Sequence, residues 1–479
     1  MGFDGVIVSD YSAIRMFNHF HHLTPDPVEA GRLAVEAGID IEAPSPYGYC
    51  EEFREAVHRG DIDEKYIDEC VLNVLKMKFR LGLFEDAYVK DFSEARLHTD
   101  EAVALSRKLD EESILLLEND GILPLDEKKI NKVAVIGNNA KDSFTGDYIF
   151  FTDACVDFYD GMVARLGEDR VIYSLGCNPV TTTEENIAAA LQAAEQADVI
   201  FLVLGDCTEM GGGDQTVAES KYAKPRDKHK KVEVTCGEGY DMHSLDFPPS
   251  QKRLFDAVTA LGKPTILILY AGRPYTIKDD VSKVNAFMFS FGGGEQSGNA
   301  FANLIFGDKS PSAKTAISFP QSEGHIPCHY NYKPSARGRN YKTPGTNETP
   351  GRDYVLSSPD AWYPFGYGLS YTEVKYSNLV ANKINEKEVR VTVDVHNIGN
   401  YDINESVLLF VSALYCPITP FIKKLRKFAK VYLHKGEKKT IAFTLTNEDF
   451  TYIDLDMKVT VNHGTHKIMI ANLELEIEF

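Results

Sequence analysis

The sequence lacks any apolar run near the roughly 18 residues that a bilayer-spanning helix needs, so we expect no membrane span. It also lacks an excess of positive charge. Its 51 lysines and arginines stand against 71 aspartates and glutamates, which gives a formal net charge of −20. A phosphate backbone would be repelled over most of such a surface, so we expect no nucleic-acid partner.

Paired cysteine motifs are absent as well. The eight cysteines include no C-x-x-C pair and no zinc-finger spacing, and they fit buried thiols better than a disulfide framework. The first ten residues lack the basic region of a signal peptide and instead predict a buried strand. For a chain that starts here this favours the cytoplasm over the periplasm or secretion, whereas a start further upstream leaves export open.

A chain of 479 residues is too long for one core, and its pattern changes twice. Residues 1–95 predict strand, helix, strand, helix. The strands are residues 6–8 and 39–41, one helix begins at Asp26-Pro27, and the other covers residues 62–81. Two such units cannot close a barrel of eight, so we interpret this region as the remnant of a (β/α) barrel with a linker.

Residues 96–330 predict an α/β/α sandwich, and residues 331–374 a connecting segment. Continuous β-branched runs separated by helical stretches are typical of a mostly parallel sheet that is covered on both faces. The predicted strands are residues 133–136, 199–204, 265–270 and 286–290. The ligand crevice of such a sheet lies beyond the carboxyl ends of its strands.

From residue 375 to residue 479 the apolar period becomes two. Val389, Val391, Val393 and Val395 alternate with polar residues, as in a half-buried antiparallel strand. Further strands are predicted over residues 406–412, 430–433, 440–445, 457–461 and 467–471. This number of short strands favours a β-sandwich of the immunoglobulin or fibronectin type III kind.

Two acidic positions are candidates for chemistry. Asp10 follows a predicted strand directly, where barrel enzymes place catalytic groups; the alternative is that it merely caps the next turn. Glu238 lies in the glycine-flanked loop 236–241, and glycine lets a backbone approach a ligand closely. An ordinary surface turn would have the same composition.

Several motifs, taken in order, resemble glycoside hydrolase family 3 along essentially the whole chain. Residues 2–11 (GFDGVIVSDY) resemble the family's nucleophile strand, and residues 236–241 (CGEGYD) resemble its acid/base loop. Further matching segments are 37–42, 61–68, 78–84, 112–119, 123–125, 135–140, 272–274, 306–308 and 363–372.

The resemblance implies a retaining β-glycosidase that releases single sugars from the non-reducing end, such as a β-glucosidase or β-xylosidase. Asp10 would be the nucleophile and Glu238 the acid/base, with their carboxyl groups about 5–5.5 Å apart. Asp10 would be ionised among donors, and burial would raise the pKa of Glu238. Substrate contacts would come from Tyr11, Tyr240 and Asp241. No cofactor or metal is implied.

Some assignments stay open. Asp241 or Glu209 could replace Glu238 as the acid. Tyr11 stands where the family has tryptophan, which could alter stacking on the sugar. Met242 stands where arginine usually follows Asp241, so a cation that would pair with an acidic neighbour is lost.

The family's nucleophile strand follows a long segment with further sugar contacts, and no such segment precedes Asp10 here. We therefore expect a truncated chain that is inactive alone or active only with a complementing barrel fragment. A homodimer is also compatible with the sequence. The alternative function is a non-catalytic carbohydrate-binding or scaffold fragment.

The histidines at positions 19, 21 and 22 could suggest a metal site. No spaced carboxylate lies near them, which favours a role in lining or flanking the substrate cleft instead.

Overall fold

The computed structural model describes residues 2–88, 98–141, 146, 154–208, 233–334 and 357–479. The chain forms two compact units, residues 1–97 and residues 98–479. The helices are α1 (Ala13–His19), α2 (Pro27–Glu36), α3 (Glu51–Arg59), α4 (Lys65–Arg80), α5 (Asp100–Ser113), α6 (Phe158–Leu166), α7 (Glu184–Glu195), α8 (Pro249–Thr259), α9 (Lys278–Val281) and α10 (Ser297–Ile305). None of the helices within the described ranges is both long and apolar enough to cross a membrane.

The strands belong to the second unit. They are β1 (Leu115–Asn119), β2 (Val133–Ile136), β3 (Val171–Ser174), β4 (Val199–Gly205), β5 (Thr265–Tyr270), β6 (Ala286–Ser290), β7 (Val374–Asn385), β8 (Glu388–Asn397), β9 (Ile403–Ala413), β10 (Lys424–Leu433), β11 (Lys438–Thr446), β12 (Thr451–Ile453), β13 (Val459–Val461), β14 (Thr465–Ile470) and β15 (Leu473–Glu478).

The first unit is built from α1–α4. As predicted, α2 begins at Asp26-Pro27, where the Asp26 carboxylate accepts a hydrogen bond from the amide of Glu29 at 2.9 Å. Gly82, with φ +68°, follows the end of α4. Two small apolar clusters hold the helices together. Their buried members are Ile14, Ala30, Ala34, Val35, Phe53, Ala56 and Ile62.

The predicted strands of the first unit are reduced to one parallel bridge between Val8 and Ile41. The amide of Ser9 donates to the carbonyl of Ile41 at 2.8 Å, so the two segments do run side by side. The predicted burial is wrong, because Val8 is 53% exposed and Ile7 40% exposed. An apolar run gains burial only from elements packed on both of its faces.

A six-stranded sheet forms the middle of the second unit, in the order β1-β6-β5-β4-β2-β3. All pairs are parallel except β1 with β6. Three predicted strands have the predicted bounds, and β4 extends one residue further, to Gly205. The pattern did not predict β1 or β3.

Helices cover both faces of this sheet, as the sequence predicts. One core contains Ile187 and Ala190 of α7 with Leu254 of α8, and the opposite core contains Phe158 of α6 with Phe301 of α10. Each cluster includes alternate residues of the central strands. The sheet is therefore the middle layer of an α/β/α sandwich.

Residues 374–479 form antiparallel sheets, β10-β9-β14-β15 and β11-β8-β7, with a separate β12–β13 pair. The side chains of Val389, Val391, Val393 and Val395 are fully buried in their shared core, which confirms the predicted alternation. Strands β7, β12 and β15 were not predicted.

The described part of the connecting segment packs on the parallel sheet. Tyr363 donates its hydroxyl to Glu118 Oε1 at 2.8 Å, and Tyr367 donates its hydroxyl to the carbonyl of Leu117 at 3.2 Å. Both acceptors belong to β1. Together these tyrosines hold the segment against the edge strand. The division of the chain at residues 95, 330 and 374 stays a prediction.

Candidate active site

Asp10 lies at the carboxyl end of the extended segment that pairs with residues 39–41. Its backbone is held in place, since Ser9 Oγ accepts from the amide of Ala43 at 2.9 Å and the amide of Ser12 donates to the carbonyl of Ala43 at 3.0 Å. The Asp10 carboxylate accepts from the amide of Tyr11 at 2.7 Å. The side chain itself is exposed. An anchored backbone thus presents an open carboxylate.

Two residues near Asp10, Tyr11 and Glu42, differ in their exposure to solvent. Tyr11 is 61% exposed, so its ring is available for stacking on a ligand. Glu42, on the paired segment, has a carboxylate that accepts from the amides of Gly48 and Tyr49, each at 2.9 Å. Glu42 therefore fixes the chain around residue 48, which leaves Asp10 as the more open of the two carboxylates.

The histidines at positions 19–22 do not form a metal centre. His19 Nε2 lies 3.2 Å from the hydroxyl of Tyr47, and its ring packs against that of Tyr47. The ring of His21 packs edge-on against Phe20. Within the ranges that the structure describes, no group of three or more histidine, cysteine, aspartate or glutamate side chains could hold a metal ion.

Glu238 is at the tip of the glycine-flanked loop of the second unit. Gly237 and Gly239 have φ values of +115° and +79°, a conformation that favours glycine and turns the backbone sharply on both sides of the glutamate. Glu238 and Tyr240 are exposed. The burial expected for Glu238 is therefore wrong for this structure, since among the residues that the structure describes the tip of the loop is exposed.

The base of the loop is tied to the end of β4. The amide of Thr235 donates to the carbonyl of Cys207 at 2.8 Å, and the amide of Cys207 donates to Thr235 Oγ1 at 2.9 Å. Burial raises the pKa of the neighbouring Cys236 thiol to about 12, which favours the protonated thiol. All eight cysteines are thiols, as predicted, although only Cys177 is fully buried.

A buried carboxylate that the sequence did not single out lies just beneath this loop. Asp206 follows β4 directly and is completely buried. Its Oδ1 accepts from the Tyr275 hydroxyl at 2.8 Å and from Arg273 Nη2 at 3.1 Å, and its Oδ2 accepts from the amide of Gly272 at 3.1 Å. Burial holds the pKa of Tyr275 well above its ordinary value, so its hydroxyl remains a donor.

Arg273 connects this buried group to the loop. Its Nη1 lies 3.1 Å from Asp241 Oδ1, so one guanidinium contacts two carboxylates. The cation that Met242 does not supply is therefore present at Asp241, but it comes from another strand end. The sequence carried a signal in Gly205-Asp206 and Gly272-Arg273, polar residues that follow adjacent strands of a parallel sheet.

Of the two alternative acids, Asp241 forms an ion pair with Arg273. Glu209 lies outside the described residues. Glu238 lies three residues before Asp241 in the same loop, and its side chain is exposed.

Three parts of the chain match models of known protein families. Residues 1–77 match the glycosyl hydrolase family 3 N terminal domain, residues 114–371 the glycosyl hydrolase family 3 C-terminal domain, and residues 405–473 the fibronectin type III-like domain. The fold is thus an α/β domain with a parallel sheet followed by a fibronectin type III-like region, as predicted.

Related proteins and solved structures are similar to nearly the whole length of this chain. A β-xylosidase of Formosa agariphila is 30% identical over 98% of this chain and 63% of its own length. A periplasmic β-glucosidase of Salmonella typhimurium is 28% identical over 98% of this chain and 62% of its own length. The structure of a β-glucosidase from Listeria innocua in complex with isofagomine aligns with a TM-score of 0.82 and 28% identity, covering 99% of this chain and 64% of that one. This chain spans about three fifths of the length of the relatives it matches.

Proposed function

This chain belongs to glycoside hydrolase family 3, and from that premise we propose that it supplies both carboxyl groups of a retaining β-glycosidase. Asp10 is the nucleophile and Glu238 the general acid/base. The observation that carries the proposal is that the family match extends over both segments that hold these residues. In support, both side chains are exposed on backbones that are anchored by hydrogen bonds.

The two carboxyl groups have opposite tasks in this mechanism. Asp10 attacks the anomeric carbon while Glu238 gives its proton to the departing oxygen. A water molecule, deprotonated by Glu238, then cleaves the glycosyl ester on Asp10. This double displacement requires the carboxyl groups about 5–5.5 Å apart. Tyr11, Tyr240 and Asp241 are the proposed substrate contacts.

The proposed substrate is a terminal, non-reducing β-linked glucose or xylose residue. The names of the relatives support this class, since they include β-xylosidases and β-glucosidases. Within this function, residues 1–95 are the proposed barrel segment, residues 96–330 the α/β/α sandwich, residues 331–374 the connection and residues 375–479 the fibronectin type III-like domain.

The first experiment measures release of p-nitrophenol from p-nitrophenyl β-glucoside and β-xyloside. We expect little or no turnover by the 479-residue chain alone, because its relatives are considerably longer. We expect turnover when the chain is joined to the segment of the Formosa agariphila β-xylosidase that it does not match. Absence of turnover in both forms would contradict the proposal. Turnover by the chain alone would contradict only the expected need for a further segment.

The second experiment separates the two roles in the form that turns over. Asp10→Asn removes the nucleophile and should abolish hydrolysis of every substrate. Glu238→Gln should slow hydrolysis of a poor leaving group roughly 10²–10⁴-fold. It should affect formation of the glycosyl-enzyme from a 2,4-dinitrophenyl glycoside far less, because that leaving group needs no proton. Added azide should then restore turnover of the dinitrophenyl glycoside, since this anion needs no general base.

A carbohydrate-binding fragment without catalysis is the second candidate, favoured by the share of the relatives that the chain spans. Calorimetry with cellobiose and xylobiose tests it. Binding without turnover in both forms would favour this candidate over the enzyme.

A further inference from the structure

We propose that Asp206, Arg273 and Asp241 form a chain of two ion pairs, called the charge relay below, that positions the Glu238 loop. Arg273 is the positioning residue. The inference rests on the proposed function of Glu238. It assigns to three other side chains the task of holding the acid/base where it can act.

The inner end of the relay is fixed. Asp206 is completely buried and accepts hydrogen bonds from four groups: the Tyr275 hydroxyl, the Thr235 hydroxyl, the amide of Gly272 and the guanidinium of Arg273. A buried carboxylate with this many donors has one stable orientation. It also requires a counter-charge, which Arg273 provides.

The middle of the relay is nearly as confined. The side chain of Arg273 is only 17% exposed, and its guanidinium lies 5.7 Å from the centre of the Tyr275 ring. Because a guanidinium is planar and donates from a rigid fork, fixing Nη2 on Asp206 also fixes the direction of Nη1. That nitrogen points at Asp241.

The outer end is the loop itself. The Asp241 side chain is 84% exposed, and its 3.1 Å contact with Arg273 links it to the core. The Asp241 carboxylate also accepts from the amide of Met242 at 2.8 Å. Glu238 lies three residues before Asp241, and the amide of Tyr240 donates to the carbonyl of Gly237 between them. Holding Asp241 therefore restricts the short turn that carries Glu238.

A lysine would not perform the same task. Its ammonium is a single point of donation on a flexible stem, whereas the relay needs two donors that face two carboxylates at once. Arg273→Lys should keep the pair with Asp206 and release Asp241.

The test uses hydrogen–deuterium exchange of the full 479-residue chain, read on the peptide that covers residues 236–242. Asp241→Ala and Arg273→Lys should each raise the exchange rate of this peptide about tenfold, as expected for one lost charge-assisted hydrogen bond. Arg253→Gln is the matched control. It breaks the ion pair of another arginine of the same unit, with Glu184, and should leave the peptide unchanged. Asp241→Ala alters only the exposed end, so it should fold even where changes at Arg273 do not.

Unchanged exchange in Asp241→Ala would overturn the relay. In the form that hydrolyses glycosides, Arg273→Lys, which leaves the proposed substrate contact Asp241 in place, should lower kcat for a poor leaving group about tenfold, with KM nearly unchanged and little effect on a dinitrophenyl glycoside. An equal loss for both leaving groups would also overturn it. If no form hydrolyses glycosides, the proposed function fails, and the exchange result still decides whether the relay holds the loop.

Discussion

The side-chain amide of Gln251 forms hydrogen bonds with both the backbone amide and the backbone carbonyl of Gly205. Its Oε1 accepts from the Gly205 amide at 3.0 Å, and its Nε2 donates to the Gly205 carbonyl at 2.9 Å. The side chain is completely buried on α8. A glutamine thus completes the hydrogen bonds of the last residue of β4, immediately before Asp206.

Gln251→Leu should lower the free energy of unfolding of the second unit by about 1–3 kcal/mol. The variant leaves the buried Gly205 amide without its acceptor, which costs roughly 1–3 kcal/mol, whereas the Gly205 carbonyl keeps a second donor, Asn138 Nδ2, at 3.2 Å. Urea denaturation measures the change. Gln192→Leu, at an exposed position of α7, is the control and should change stability by less than about 0.5 kcal/mol. Similar stability of both variants would show that the Gln251 contacts are replaceable.

Gly205→Ala should prevent folding of the parallel sheet. Gly205 has φ +133°, and an added Cβ would lie 1.8 Å from the carbonyl oxygen of Tyr270 on the adjacent strand. That contact involves backbone and cannot be relieved by a side-chain rotation. Gly262→Ala is the matched control, with φ +64° and no atom within 4 Å of the added Cβ. It should cost only about 1–2 kcal/mol, for the left-handed conformation alone. Soluble expression and circular dichroism distinguish the two.

Tyr363→Phe should destabilise the packing of the connecting segment by about 1–2 kcal/mol, since it leaves Glu118 without the donor at 2.8 Å. Tyr363 is almost fully buried against β1, and burial holds the pKa of its hydroxyl far above the ordinary value. Chemical denaturation measures the loss. The control, Tyr415→Phe, removes a hydroxyl from a side chain that is 84% exposed and should be neutral. Equal effects would contradict the assigned role of Tyr363.

Acidification from pH 7.5 to pH 5 should weaken the β-sandwich through His466. Burial lowers the pKa of this histidine in the folded state, although the carbonyl of Gly464 partly opposes the shift. The unfolded chain therefore binds the proton first, and stability is lost as pH falls through the unfolded pKa near 6.5. Hydrogen exchange of β14 amides at both pH values measures the loss. His466→Gln should remove most of this dependence, while replacement of the exposed His434 should not.

The parts of the fold that local pattern decides were predicted from the sequence. Strands β2, β5 and β6 are mainly apolar runs bounded by breakers, and β8 alternates strictly. Strand β3 has four residues, as β2 does, but it lies at the edge of the sheet and its two middle residues are only partly buried. Its pairing with β2 makes it a strand, and local pattern did not predict it. Strand β1 follows α5 without a turn signal, and its antiparallel pairing is set by β6.

The candidate site likewise has features that the local sequence predicted and features that it did not. Glycines around Glu238 and the polar end of the segment before Asp10 are local signals, and both led to exposed carboxylates. The partnership of Asp206 with Arg273 joins residues 67 positions apart and depends on which strands are neighbours. The same limit explains the error about Val8, because its burial depends on what packs over it rather than on its own hydrophobicity.

The reversed direction of β1 has a practical consequence for anyone who wishes to label or immobilise this protein. Leu115 pairs with Phe289 near the carboxyl end of β6, and Asp110 of α5 accepts from the amides of Gly294 and Gln296 on the same side. The chain thus enters the sheet along the rim that bears Asp206 and Arg273. Attachment points belong on the opposite rim, in the turns at Gly121 and Gly262. A dye or a tether placed there stays away from the rim that bears Asp206 and Arg273.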